Sequence, residues 1–391
     1  PVGWTEAYDL QKHGIDILLN GYAEVDLGLK GLKYKLNVGV NKYTRRNYNY
    51  AVPYVFSSTS QNPNYSLSES TSWENDWLIE NTVNYDNTFG KHMVSALAGY
   101  SAQRNESRGF GAGRLNMPEG LMTIGAGQTD GQTTSGSAWA NSMVSIFGRV
   151  MYTFDDRYML TASIRRDGSS KFADGHRWGT FPSASIGWNV MNEKFFENAK
   201  KVMNELKIRA SYGVLGNLNG IGNYATQSTV RTGFNNMVGN SLWVGNITGS
   251  SWVSPSNVTW EKTKTTNIGL DMAFLNNKLT IGADYFIQKT EDMLLGMPQP
   301  ASFGLSGSPT VNAGTVENKG FELSINHRNN VGELYYHVGV NATFLKNKLT
   351  KVNGTRDEWE GFNPHTKGTI TYAKTGYPIG YFNLIKTDGI F

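Results

Sequence analysis

Apolar and polar residues alternate with period two along most of this chain, and that feature decides what it can fold into. Alternation places every second side chain on the same side of an extended backbone, so each such segment carries one apolar and one polar face. In 33–41, Tyr34, Leu36, Val38 and Val40 oppose Lys33, Lys35, Asn37 and Asn41. In 146–154, Ile146, Val150, Tyr152 and Phe154 oppose Arg149 and Thr153. In 158–167, Leu160, Ala162 and Ile164 oppose Thr161, Ser163, Arg165 and Asp167, and in 206–212, Leu206, Ile208, Ala210 and Tyr212 oppose Lys207, Arg209 and Ser211. Segments 183–190, 267–274, 279–288, 321–326 and 337–344 read the same way, and 15–28, 74–87 and 91–104 bring the set to about twelve strands. Helical periodicity is nearly absent. The one candidate helix is Asn192 to Asn204.

The connections carry a second signal. Short ones are expected near Lys30-Gly31, Asn87–Gly90, Asp155-Asp156, Asn276-Asn277 and Asn329–Gly332. Long ones are expected over 45–72, 105–137, 168–180, 215–258 and 292–311. Short and long alternate strictly, with 190–205 a longer member of the short set. An up-and-down barrel in the outer membrane predicts this rhythm, with short turns at the periplasmic end and longer loops outside. A sandwich has no reason to keep it. Lipid forbids an open sheet edge, so such a sheet must close. Tyr85, Tyr100, Tyr152, Trp188, Tyr212 and Tyr285 fall on apolar faces toward strand ends, where aromatic girdles sit. A soluble all-β core with scattered aromatics remains the other reading.

Composition narrows the classes. No stretch approaches the roughly 18 apolar residues that a membrane helix needs. Charged residues are 17% and aromatic residues 12% of the chain, against roughly 25% charged in soluble domains. The net charge of +4 gives no field that argues for nucleic acid. With no cysteine, disulfides, thiolate metal sites and cysteine nucleophiles are excluded. The start Pro1-Val2-Gly3-Trp4 holds no export signal, and the chain stops just after Asp388-Gly389, so a fragment of a longer protein is expected.

Five segments, Tyr158–Phe172, Arg177–Trp188, Leu206–Asn217, Trp260–Asp271 and Asn318–Ile325, are together, in their order and spacing, similar to the SusC/RagA-type branch of TonB-dependent outer-membrane transporters. The resemblance spans about 15 to 391. It implies part of a barrel of roughly 22 strands, with the N-terminal plug and the last strands outside this sequence. It also implies a SusD-like surface lipoprotein as lid, the TonB-ExbB-ExbD complex acting through the missing N-terminal part, and an oligosaccharide or peptide as cargo. Locally the same segments have structural reasons, and Trp178 and Phe181 fit packing at a rim. Asp167-Gly168 suits a turn with positive φ, and Pro182 suits a strand start, where its missing N–H costs least.

Two sets of residues are candidates for function. Lys33, Lys35, Arg149, Arg165, Lys207, Arg209, Asp271, Asp284 and Glu322 recur on polar faces. They fit a solvated barrel interior, or a wall that grips a plug by ion pairs. Arg149, Arg165 and Arg209 are the plug-contact candidates. In the loop 215–258, Tyr224, Phe234, Trp243 and Trp252 stand among Gly, Asn, Ser and Thr. Flat rings stack on sugar faces and polar neighbours add hydrogen bonds, so these four are candidates for ligand contact, against self-packing or contact with a lid. No two of the six histidines share metal-ligand spacing. Gly109–Gly113 is not a dinucleotide fingerprint, because no βαβ unit surrounds it. No nucleophile elbow or phosphate loop occurs. The sequence pattern thus predicts an all-β membrane barrel with no catalytic, cofactor or metal residues, and the resemblance implies import of oligosaccharides or peptides. A secreted glycan-binding β-protein is the alternative, and a barrel enzyme would need a catalytic cluster that the sequence does not display.

Overall fold

The computed structural model describes residues 7–227, 230–239, 241–248, 255–297, 302, 308–352, 358–360 and 370–382, with the backbone alone for 230–238, 242–248 and 358–360. Twelve strands form one antiparallel sheet in chain order. They are β1 (Tyr8–Asp26), β2 (Leu32–Ala51), β3 (Ser66–Phe89), β4 (His92–Leu115), β5 (Thr133–Phe154), β6 (Tyr158–Ser169), β7 (Trp178–Asn189), β8 (Met203–Asn217), β9 (Glu261–Phe274), β10 (Leu279–Glu291), β11 (Gly314–Val331) and β12 (Leu334–Val352). Consecutive strands are neighbours throughout, so the sheet is a plain meander with β1 and β12 at its edges.

The short connections turn where the sequence supplies residues tolerant of positive φ. Gly31, Gly90, Asp155, Asp156, Asn276, Asn277 and Gly332 all adopt it. The long connections carry hairpins of their own, Tyr54–Ser57 with Ser60–Asn62, Val230–Val238 with Ser241–Thr248, and Leu294–Gly296 with Thr310–Asn312.

Four expectations need correction. The stretches 45–72 and 105–137 are narrowed from both sides by strand, since β2 runs to Ala51, β3 starts at Ser66, β4 runs to Leu115 and β5 starts at Thr133. Alternation is required only where one face meets an apolar medium, whereas ladder hydrogen bonds continue a strand without it. The candidate helix 192–204 is two 3₁₀ segments, Val190–Asn192 and Lys194–Lys201, after which β8 begins. Gly168 lies within β6, opposite Trp178. It is glycine because a Cβ there would stand 2.9 Å from the indole. Pro182 lies inside β7, opposite Ile164 of β6, and β7 pairs with β8 only from Ser183 onward. Its missing N–H therefore falls where the second ladder ends.

The chain divides into two compact units. The first comprises Pro1–Val25, Tyr34–Thr82 and Tyr100–Val144, the parts of β1 to β5 distant from the short turns. Its small core is Tyr50, Leu67 and Met117. The second comprises Asp26–Lys33, Val83–Gly99 and Ser145–Phe391. There the apolar residues of the alternating pattern are largely exposed, for example Ile164 at 55%, Ile186 at 59% and Val340 at 58%. Across β9 to β12, Ile268, Tyr285, Phe321 and Phe344 stand side by side on that face. An exposed apolar surface this continuous marks contact with something other than water.

Candidate functional site

The polar face of the second unit is wired by ion pairs that cross several strands. Arg209 of β8 faces Gly269 of β9, which in turn faces Asp284 of β10. Its guanidinium lies across Gly269, where a Cβ would meet it at 2.6 Å. It donates to both oxygens of Asp271, at 2.7 and 3.0 Å, and to both of Asp284, at 2.9 and 2.8 Å. Two forked contacts in fixed geometry are what a planar guanidinium provides and an ammonium does not. Two carboxylates around one cation leave the cluster net negative, and Glu322 of β11 stands opposite Asp284.

Arg165 of β6 is also held. It donates to Asp167 at 2.7 and 2.9 Å, to the Ser145 hydroxyl at 2.8 Å, and lies 5.3 Å above the Phe147 ring. Phe147 covers Gly99 of β4, whose Cβ would come within 2.4 Å of the ring. Arg149 differs from both. It is exposed, and among the described residues it makes no hydrogen bond or ion pair. Of the three plug-contact candidates, the structure therefore places two within wall clusters and leaves one with its donors available.

The long-connection end is closed by a packed rim. Phe172, Phe181 and Trp260 meet with ring centroids 5.2 and 5.4 Å apart. Trp260 donates its indole N–H to the Arg177 carbonyl at 3.0 Å, and Lys171 donates to the Ile221 carbonyl at 3.2 Å. Val258 and Ile221 are buried beside β9 and β8. Glu261 accepts from Asn217 at 2.9 Å and from the Leu294 backbone N–H at 3.1 Å. The bases of three separate connections are thus fixed to one another. Of the two rim-packing residues read from the sequence, Phe181 lies in this rim and Trp178 instead covers Gly168, while Phe172, Arg177, Asn217 and Trp260 were not singled out, although all lie in the five quoted segments.

The ligand-contact candidates are not brought into one described cluster. Tyr224 is exposed in the loop after β8, with a left-handed φ of 60°. Phe234 and Trp243 lie on the two strands of the Val230–Val238 hairpin, where Phe234 pairs with Gly245 and Trp243 with Asn236. Their side chains, and the whole of Trp252, lie outside the described residues.

The opposite end has its own cap. On the apolar face His92, Phe154, Tyr158 and Trp188 form a row, with successive ring centroids 4.9, 6.5 and 6.5 Å apart. Glu193, in the turn after β7, gathers the row's polar tips. It accepts from the Tyr158 hydroxyl at 2.6 Å, from the Trp188 indole at 3.2 Å and from Arg157 at 3.2 Å. Those donors, Tyr158 first and then Trp188, hold its carboxyl below the usual range, against the opposing effect of burial. Asp155, in the turn between β5 and β6, is lowered likewise, first by the hydrogen bond from Lys91 and also by Arg157. Rings with apolar bodies and wet tips are what a membrane interface selects.

A sheet with one exposed apolar face, one charged face and aromatic rows at strand ends matches a family model. The model, described as TonB dependent receptor-like, beta-barrel, covers residues 7–387. The chain belongs to the TonB-dependent receptors. A receptor from Formosa agariphila is 34% identical over 278 residues, 70% of this chain and 27% of the relative. The TonB-dependent receptor SusC of Bacteroides thetaiotaomicron is 32% identical over 285 residues, again 70% of this chain and 27% of the relative. The structure of the RagAB peptide transporter superposes with a TM-score of 0.84 at 25% identity, over 97% of this chain and 41% of the other. The chain is thus of the SusC/RagA type and spans about a quarter of its curated relatives' length. As part of an outer-membrane β-barrel, the apolar face meets lipid and the charged face lines the interior. The short turns are periplasmic and the long connections extracellular.

Proposed function

We propose that this chain is wall from a single barrel domain of a TonB-dependent importer, which moves oligosaccharides or peptides across the outer membrane without making or breaking a bond. The observation that carries the reading is the charged interior face, where ion pairs span β8 to β10 and Arg149 keeps open donors. In this reading a plug supplied by another part of the longer protein docks against that face. Arg149 makes the direct contact, and Arg165 and Arg209 present their paired carboxylates. The TonB-ExbB-ExbD complex draws on the plug from the periplasmic side. A SusD-like lipoprotein closes over the extracellular loops, where Tyr224, Phe234, Trp243 and Trp252 meet the cargo.

The membership of the family and the kinship with SusC and RagAB support import. Rim packing supports a mouth whose loop bases stay fixed. The test is uptake of labelled maltooligosaccharide and of labelled oligopeptide by cells carrying the full-length receptor, with and without TonB. Uptake of one class that vanishes without TonB is the expected result. Uptake of neither class, or uptake indifferent to TonB, overturns the reading. Arg149→Gln is expected to loosen the plug, measured as increased passage of a small hydrophilic antibiotic; unchanged passage removes Arg149 from the contact.

A further inference from the structure

The lipid-facing side of β9 to β12 carries a band of positive charge just beyond its aromatic row. Strand register places it. Moving from Ile268, Tyr285, Phe321 and Phe344 toward the extracellular end, the next positions on the same face are Thr266, Ile287, Lys319 and Lys346. The row after that is Lys264, Lys289, Glu317 and Lys348. Lys262 faces Glu291 in the following row. Rows on one face repeat every two residues, about 6.8 Å, and neighbouring strands lie about 4.8 Å apart. Six lysines thus share a patch only three rows deep.

Two glutamates offset part of this charge. Glu291 takes Lys264 at 2.5 Å and Lys289 at 2.8 Å, and Glu317 takes Lys319 at 2.9 Å. Lys262, Lys346 and Lys348 have no ion pair among the described residues. Lys264 directly faces Lys289, and Lys319 directly faces Lys346. Like charges opposite one another cost stability in a sheet. Glu291 bridges the first pair and Glu317 takes Lys319, which leaves Lys262, Lys346 and Lys348 as charge that no carboxylate of the described residues offsets and that an anion outside the protein can take. Water could solvate exposed loops anywhere, but this band abuts exposed Tyr285, Phe321 and Phe344, so its neighbours are lipid headgroups rather than free solvent. Clustered basic side chains at an interface beside apolar surface are the pattern that recognises phosphorylated headgroups.

We propose that Lys262, Lys264, Lys289, Lys319, Lys346 and Lys348 form a binding site for the phosphate groups of an anionic glycolipid in the outer leaflet. The aromatic row contacts the acyl chains and the lysine band takes the phosphates, so the lipid is held against one side of the barrel and fixes its depth. This is separate from the transport path, which lies on the opposite face of the same strands.

The test uses the full-length receptor in mixed detergent micelles, with diphosphoryl lipid A and its monophosphoryl form as probes. The wild type is expected to bind the diphosphoryl probe at least ~10-fold more tightly, and the variant K319Q/K346Q/K348Q is expected to lose that preference. Heat-modified gel mobility checks that the barrel stays folded. A second variant, K194Q/K200Q/K201Q, removes the same charge from the periplasmic end and is expected to keep the preference. Equal weakening in both variants, or no dependence on the second phosphate, overturns the proposal. Displacement of the probe by millimolar inorganic phosphate would make the site one for free phosphate and would overturn it too.

Discussion

The distal parts of β3 and β4 and the strands β6 and β7 end in opposite ways. β3 and β4 are each 24 residues long, whereas β6 and β7 are each 12. At about 3.4 Å per residue, 24 residues reach ~80 Å, far past the roughly 30 Å hydrocarbon core of a bilayer. Along β4 the alternation His92, Val94, Ala96, Ala98 gives way beyond Tyr100 to Gln103, Arg104, Asn105, Glu106, Ser107 and Arg108. The strand continues while its apolar face stops. β6 stops at Ser169 and β7 starts at Trp178, and the Phe172, Phe181 and Trp260 core takes over. One region runs on as ladder, with only the small core of Tyr50, Leu67 and Met117 at its far end. The other finishes as a packed cap that fixes its loops. Alternation is therefore a signature of the membrane and not of the strand.

The largest effect should separate the two endings. Trp260→Ala removes a buried ring from the rim and should cost about 3–5 kcal/mol. Phe110→Ala, on the distal part of β4 where the ring is exposed, should stay within about 0.5 kcal/mol. Denaturant unfolding of the full-length receptor in detergent, followed by gel mobility, measures both. Comparable losses would mean that Phe110 is packed as tightly as the core of Tyr50, Leu67 and Met117.

Glycine sharpens the contrast by sign. In the second unit Gly99→Ala drives a methyl to within 2.4 Å of the Phe147 ring, with an expected loss of about 1–3 kcal/mol. In the first unit a Cβ at Gly21 meets nothing within 4 Å. Gly21→Ala should be neutral or stabilising by up to about 1 kcal/mol, through the unfolded chain. The same unfolding assay reads both, and a loss at Gly21 would show that β1 relies on its glycine.

Ion pairs give a smaller difference. Arg209→Met leaves Asp271 and Asp284 as diagonal neighbours on adjacent strands with no cation between them. The cluster is about a third exposed at Arg209 and Asp271, so the loss should be about 1–2 kcal/mol rather than the larger cost of a fully buried pair. Arg46→Met breaks a single pair with Glu69 at 2.7 Å in the first unit, where Arg46 is 61% exposed. That should cost under about 0.5 kcal/mol. Equal losses on unfolding would mean that solvent screens the Arg209 cluster as fully as a surface pair.

This contrast also explains what sequence made legible. The twelve strands and the five short turns follow from local rules, because alternation and residues such as Asp155-Asp156 and Asn276-Asn277 act over a few positions. The far ends of β2 to β5 did not, since a strand in water carries no periodic mark. Gly168 was misread as a turn because its reason is not its own φ but the indole of Trp178, ten residues on and across a ladder. The plug-contact candidates were visible as polar-face arginines. Nothing local showed that Arg209 would be taken by Asp271 and Asp284, because that pairing depends on the register of three strands. Phe181 is legible as rim packing but its partners are not, because Phe172, Phe181 and Trp260 meet only after the connections fold back.

The smallest effect is a pH dependence at the periplasmic cap, and it tests whether that end too is locked by side chains. Glu193 is held below the usual carboxylate range, first by Tyr158, then by Trp188 and Arg157. A group whose folded value is lowered contributes stability that is full above its unfolded value, about 4.3, and fades as pH falls through the folded one. Glu193→Gln keeps the shape and removes the charge. At pH 7 the variant should unfold at lower denaturant than the wild type. As pH drops below about 4 the two midpoints should converge, because the wild-type carboxyl then becomes protonated in both states. Midpoints that differ by a constant amount from pH 7 to pH 3 would mean that the Tyr158 and Trp188 contacts act through shape alone, and the aromatic row would owe nothing to the charge beneath it.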